Sequence, residues 1–164
     1  MVLERVLGVA APLEGCALLL GEHQGRTLWL RQIWPCCNSW EPASERDHRF
    51  ALDPREQLLA QRWGRARGLA VLGSAHSHPS SAAIPSPTDL RLCVGPTLMV
   101  IRSGLTAALS QDCNGVRPAP LRAWWLPDNA DGASDADPAP AAVTELHITI
   151  DSGPPAQGPR HLGE

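Results

Sequence analysis

The spacing of apolar residues changes several times along the chain, and each change marks an element. Leu3, Val6, Leu7 and Ala10 recur at helical spacing, which predicts a short amphipathic helix over Val2–Ala10. Pro12 ends it, because the residue before a proline is pushed out of the helical region. Gly15–Gly21 is an apolar run of strand length, Glu22–Gly25 reads as a turn, and Arg26–Pro35 alternates in part, so the three together predict a hairpin. Cys36–Asp47 is polar and irregular, and His48–Leu52 has the character of a short strand. Asp53-Pro54 then predicts a helix start, with Asp as N-cap and Pro in the first turn. Leu58, Leu59, Arg62 and Trp63 form the apolar stripe of that helix, and Gly64 or Gly68 ends it.

Gly68–Gly73 (G-L-A-V-L-G) is apolar and short enough for a buried strand that continues to His78, where Pro79, lacking an N–H for the ladder, stops it. The segment therefore reads β-α-β. A helix is predicted over Ser86–Val94, followed by a hairpin of Thr97–Arg102 and Leu105–Ser110 across Ser103-Gly104. Gly115–Leu126 is a further strand, with Arg122, Trp124 and Leu126 on one face and Leu121, Ala123 and Trp125 on the other. One tryptophan is expected in the core and the other at an edge. The pattern breaks after Pro127: residues 128–142 are rich in Pro, Ala, Gly and Asp and predict a linker. Val143–Ile150 is β-prone and could pair with the sheet edge, and Asp151–Glu164 is Gly/Pro-rich and expected to be a flexible tail. The reading is an α/β chain with one domain over residues 1–127.

Composition narrows the function classes. A chain of 164 residues with 43% hydrophobic content suits one packed domain, and a net charge of −3 offers no basic footprint for nucleic acid. No apolar run approaches a membrane span. Met1–Ala11 carries Glu4 and lacks a long apolar segment, so no secretory leader is expected. Five cysteines form an odd set without framework spacing, and Cys36-Cys37 is adjacent rather than C-x-x-C. Reduced thiols and a cytoplasmic location follow as expectations.

The chemistry concentrates in Ala75–Leu90, A-H-S-H-P-S-S-A-A-I-P-S-P-T-D-L. On a strand, His76 and His78 at i and i+2 share one face, as two ligands of one metal must. Asp89 can supply a third ligand, and two imidazoles with one carboxylate suit Zn²⁺ with its fourth position open. A purely structural reading competes. Ser86-Pro87-Thr88-Asp89 is also a capping signature, with Ser86 as N-cap, Pro87 at N1 and an acid at N3. The two readings are compatible, since a helix start can aim Asp89 at the strand end that carries the histidines.

The combination resembles the JAMM (MPN+) metalloprotease family, whose signature is an upstream Glu, H-[ST]-H-P, six residues and S-x-x-D. Here His76-Ser77-His78-Pro79 precedes Ser86-Pro87-Thr88-Asp89 by six residues. The upstream Glu is found in Pro12–Gly21 (P-L-E-G-C-A-L-L-L-G), similar to the family's P-x-E-x-C-G-x-L-x-G, with Ala17 in place of Gly. Asn38 and Phe50-Ala51-Leu52-Asp53-Pro54 fit its N…F-x-[LI]-x-P stretch. The likeness runs from about Leu3 to Pro127 and is nearest the short, stand-alone prokaryotic members.

The resemblance implies an MPN/JAMM fold, a cytidine-deaminase-like curved mixed β-sheet flanked by helices, with the metal near a sheet edge. It implies one Zn²⁺ per chain on His76, His78 and Asp89, with Glu14 taking the proton from water and Ser86 donating to the tetrahedral oxyanion. The implied activity is hydrolysis of an amide or isopeptide bond after the C-terminal tail of a ubiquitin-like, sulfur-carrier-type protein or its amino-acid adduct. Two alternatives stay open: a non-catalytic scaffold of the same fold, and a hydrolase of small amides or peptides. Cys16 is expected to be a buried filler, and His23, His48, His147 and His161 to lie outside the chemistry. Asp135 and Asp137 read as part of a solvated acidic run.

Overall fold

The computed structural model describes residues 2–93, 95–105, 121–127 and 143–150. Its elements are α1 (Val2–Gly8), β1 (Cys16–Gln24), β2 (Thr27–Cys36), α2 (Pro54–Arg65), β3 (Ala70–His78), α3 (Pro87–Leu92), β4 (Thr97–Ser103), β5 (Leu121–Leu126) and β6 (Thr144–Leu146), with a 3₁₀ turn at Ala43–Glu45. The strands form one mixed sheet in the order β2-β1-β3-β4-β5-β6. All neighbours are antiparallel except β3 and β4. That parallel pair needs a crossover on one face, which α3 provides.

The β1–β2 hairpin closes in two residues, with Gln24 opposite Thr27, and Gly25 supplies the left-handed φ of 58° that this turn needs. Alternation along the strands then divides the core. Ala17, Leu19, Ala75, Leu98, Val100, Leu121 and Ala123 face α1, whose Leu3 and Leu7 are buried against them. Leu18 and Leu20 face α2, while Met99, Ile101, Trp124 and Leu126 face the α3 side. Both α2 and α3 thus lie on the face opposite α1. No helix among the described residues is long and apolar enough to cross a membrane.

Four expectations are corrected. The stripe on α2 is only in part its buried face: Trp63 packs against the core, but Leu58 is 64% exposed and Leu59 54%, while Ala60 and Gly64 are buried. At Gly64 the helix crosses the sheet too closely for a side chain, since a Cβ there would come within 2.9 Å of the Leu20 side chain. His48–Leu52 forms no strand. The Asn38 side chain takes the place of a partner strand, accepting from Ala51 N (3.2 Å) and donating to Arg49 O (2.8 Å). The hairpin of 97–102 with 105–110 is excluded, because β3 and β5 occupy both sides of β4; residues 106–110 lie outside the described set. The histidine strand is also not near a lateral edge, since β1 and β4 flank β3. The linker at 128–142 and the tail at 151–164 fall outside the described residues.

Candidate metal and catalytic site

His76 and His78 project from the C-terminal end of β3 on the α2/α3 face, with their Nε2 atoms 2.9 Å apart. Asp89 reaches them from the first turn of α3. Its Oδ1 lies 3.5 Å from His76 Nε2 and its Oδ2 3.6 Å from His78 Nε2. The structural and chemical readings of Ser86–Asp89 hold together. Ser86 N donates to Asp89 Oδ2 (2.7 Å) and Asp89 N donates to Ser86 Oγ (3.1 Å), a complete capping box. The cap fixes the carboxylate of Asp89 where the histidines converge.

The loop after β3 sets the orientation of His78. Its Nδ1 lies 2.8 Å from the Ala82 carbonyl, which can only accept, so Nδ1 carries the proton and, in the neutral ring, Nε2 keeps its lone pair. Ser103 Oγ donates to Ser81 O (2.8 Å), and the buried Trp124 donates through Nε1 to Ala83 O (3.0 Å). Both tryptophans of β5 pack on core clusters, on opposite faces, and Trp124 is the one that holds this loop. His76 is fully buried and stacks on Phe50, with ring centroids 4.3 Å apart and planes at 19°.

Three donors on rigid supports, with no arginine or lysine among them, fit a divalent ion. Among the described residues His76, His78 and Asp89 are the only group able to hold one, with ligand atoms within 4.8 Å of one another. The closest separations bracket the ~3.3 Å between ligands that four-coordinate Zn²⁺ at ~2.0–2.1 Å requires.

Glu14 sits beside this cluster because two hydrogen bonds tie its segment to β3. Gly15 N donates to Ser77 Oγ (2.8 Å), and Ser77 N donates to Gly15 O (2.9 Å). A Cβ at Gly15 would lie 2.5 Å from Leu7 O, so α1 leaves room only for glycine there. Glu14 N donates to Arg46 O (2.7 Å) and Asn38 Nδ2 donates to Glu14 O (3.2 Å). Burial pushes the Glu14 carboxyl up to about 7, with the charge of His78 opposing the rise and that of Asp89 adding to it.

Burial and the charge of Asp89 shift the other groups of the cluster in different directions. Burial opposes ionisation of Asp89, but its bonds to His76, His78 and Ser86 outweigh burial and hold it well below the usual carboxylate range. Burial lowers His76 despite Asp89. For His78 burial acts downward, while Asp89 and the Ala82 carbonyl carry it upward overall. Burial pushes the Cys16 thiol up to about 12, which suits a filler and not a nucleophile. Ser86 is half-buried; its Oγ accepts in the cap, which leaves its own hydrogen free to donate. His23, His48 and His147 are exposed and outside the cluster; Asp135, Asp137 and His161 lie outside the described residues.

Several residues that shape the site carried no such role in the sequence reading. Asn38 and Phe50 were visible only through the resemblance, and Trp124 only as a core or edge residue. Ser77 was visible only as a member of the H-[ST]-H-P signature, its partner Gly15 lying 62 residues away, and Arg49 had no signal, because its partner Thr88 lies 39 residues away.

Beside the site, a cleft of about 420 Å³ runs between α2 and α3, with Leu18, Val71, Gly73 and Met99 among its lining residues and Ser86 and Asp89 at its site end.

Comparison with known proteins bears on the family and the fold. The model described as prokaryotic homologs of the JAB domain matches residues 8–127. Among solved structures, a protein from Desulfitobacterium hafniense is 28% identical with a TM-score of 0.67, over 92% of this chain and 86% of its own. One from Salinibacter ruber is 25% identical with a TM-score of 0.56, over 98% of this chain and 94% of its own. Among curated proteins, none matches the chain.

Proposed function

Given that the chain belongs to the family of prokaryotic homologs of the JAB domain, we propose that it is a zinc-dependent amide or isopeptide hydrolase. Its bond lies after the C-terminal tail of a ubiquitin-like, sulfur-carrier-type protein, joined either to a protein or to an amino acid. The observation that carries the reading is the convergence of His76, His78 and Asp89 beside a buried carboxyl with a pKa near neutrality. His76, His78 and Asp89 would hold the zinc. When bound, that ion makes water more acidic and polarises a carbonyl.

The chain's own groups account for the proton traffic. Glu14, with a pKa of about 7, can both accept a proton from water and give it to a departing amine at neutral pH. Ser86 directs its free O–H at the oxyanion as it forms, a donor worth about 3 kcal/mol in comparable sites. Phe50, Asn38 and the Ala82 carbonyl keep these groups oriented. No covalent intermediate is needed, and the high pKa of Cys16 argues against one. Because β1 and β4 cover both sides of β3, the tail does not pair with the histidine strand itself. Four free thiols among the described residues support a reducing, cytoplasmic setting.

The ligand set is complete, which favours catalysis over a scaffold role. The test is zinc content together with cleavage of a carrier-protein conjugate read by intact mass. About one zinc per chain and release of the carrier are expected, with both lost in Asp89→Ala. Full zinc retention in that variant excludes the site. Equal cleavage of a conjugate whose tail glycines are replaced by valine favours the small-amide alternative.

A further inference from the structure

The hydrolase reading leaves the departing side of the scissile bond without a receptor, and the cleft between α2 and α3 contains a candidate. Arg49 is the only arginine or lysine lining it among the described residues. Its guanidinium is held in place on three sides. Nη1 donates to Thr88 Oγ1 (3.1 Å), the residue just before Asp89. Nε lies 3.0 Å from Glu45 Oε2, and the cationic carbon sits 5.3 Å above the Trp40 ring. The Arg49 backbone is anchored by Asn38, and its neighbour Phe50 stacks on His76.

This arginine is immobilised with one of its donors left without a hydrogen bond. Nε is buried and makes no hydrogen bond, although Glu45 Oε2 lies 3.0 Å away as its ion-pair partner. Among the described residues the other buried side-chain polar atom without a hydrogen bond is His76 Nδ1, in the same site. A planar fork of donors held beside a hydrolytic centre matches a carboxylate. Neither a Gly-Gly tail nor a lysine within a protein chain carries one next to the scissile bond. A single amino acid does, one carbon from the nitrogen that leaves.

We propose that Arg49 is a specificity-determining residue that binds the free α-carboxylate of the leaving group, so that this chain releases single amino acids rather than opening protein–protein isopeptide bonds. The inference rests on the hydrolase reading. Water adds its oxygen to the tail carbonyl, the C–N bond breaks, the amine takes a proton, and the amino acid departs with its carboxylate on Arg49. The apolar lining of the cleft, Leu18, Val71 and Met99, accepts its side chain.

The experiment compares a carrier protein extended by one alanine with the same adduct ending in alanine carboxamide. It uses wild type, Arg49→Gln and Arg49→Lys. In parallel, tryptophan fluorescence reads binding of N-acetyl-Gly-Gly-Ala and its carboxamide to metal-free protein, since Arg49 lies over Trp40. Wild type is expected to prefer the acid at least tenfold in kcat/KM, mostly through KM. Arg49→Gln should bring the acid down to the carboxamide level with zinc content unchanged, and Arg49→Lys should recover part of the preference. Equal hydrolysis of acid and carboxamide by wild type overturns the inference and leaves the hydrolase reading standing. Equal loss of both substrates in Arg49→Gln makes Arg49 a structural residue and also overturns it. Preferential binding of the acid without turnover of any conjugate keeps the carboxylate site and sinks the hydrolase reading. Absence of discrimination in both assays rejects the Arg49 site.

Discussion

Two helices of this protein begin with the same local sequence logic. α2 starts Asp53-Pro54-Arg55-Glu56 and α3 starts Ser86-Pro87-Thr88-Asp89: an N-cap, a proline at N1 and an acid at N3. In both, the N-cap side chain accepts a backbone N–H, from Arg55 (2.8 Å) in α2 and from Asp89 (3.1 Å) in α3. The acids at N3 diverge. Glu56 accepts a hydrogen bond from Trp34 Nε1 (2.9 Å), which pins the helix to β2. Asp89 meets two imidazoles at the end of a strand. Capping chemistry is decided within four residues, whereas the fate of the N3 acid is decided by what the fold places opposite it.

The sharpest way to break the comparison is to make the same acid-to-amide change at both helices. Asp89→Asn keeps an acceptor for Ser86 N and so keeps the cap, but removes an anionic ligand. Zinc affinity should fall by more than the ~100-fold typical of outer-shell changes, and hydrolysis should be lost. Glu56→Gln should leave zinc content and activity unchanged. Metal titration and thermal melts of both proteins check this, and retention of zinc by Asp89→Asn would return Asp89 to a purely capping role.

Glu14→Gln separates holding the metal from using it. Hydrolysis should drop by ~100-fold or more while zinc occupancy stays near wild type. Loss of zinc in this variant would make Glu14 a ligand.

Trp124→Phe probes the support behind His78. It keeps an aromatic ring in the core but deletes the bond to Ala83 O, which frees the loop that carries Ala82. A loss of ~10-fold in zinc affinity is expected, together with a lower melting temperature from the space the smaller ring leaves. Unchanged affinity would mean that Ser103 and the loop backbone suffice.

The buried carboxyl of Glu14 should also appear in the metal-free protein. Its folded pKa, about 7, lies above the ordinary 4.5, so the folded state holds a proton that the unfolded chain has already released. That contribution is fully present below pH ~4.5 and is lost as the pH rises through 7. The raised pKa of His78 acts in the same direction and the lowered pKa of His76 in the opposite one, so the informative quantity is a difference. Between pH 5 and 8 the melting temperature of wild type relative to Glu14→Gln should fall by several degrees. A parallel pair of curves would place the Glu14 carboxyl in a solvated position.

The smallest effect belongs to the cap that has no second task. Asp53→Ala should cost about 1 kcal/mol of stability with zinc binding untouched. A change in zinc affinity would show that α2 communicates with the site.

What could be read from the chain varied with the range of the interaction. The caps at Asp53 and Ser86, the strand ending at His78-Pro79, and the β1–β2 hairpin all follow from residues within a few positions of each other. Errors arose where partners lie far apart in sequence. The pairing of β4 with β3 and β5 cannot be deduced from Thr97–Ser103, which looks as ready for a local hairpin. The apolar stripe on α2 pointed to Leu58 and Leu59, because periodicity registers large side chains and not the close approach that makes Ala60 and Gly64 the contact residues. A side chain, Asn38, substituted for the strand expected at His48–Leu52.

The sequence by itself determined the ligand types, their spacing and the local elements that present them: a two-residue histidine step on a strand, and an acid at the third position of a capped helix. Only the tertiary structure decided that these meet. The bonds between Gly15 and Ser77 deliver Glu14 to the histidines, Phe50 and Ala82 orient the two rings, and Arg49 comes to rest beside Thr88. The physical reason is one of range. Dihedral preferences and caps act over a single turn, but a metal site demands that several donors meet within a few ångströms. That is achieved when burial of the two sheet faces brings distant segments together.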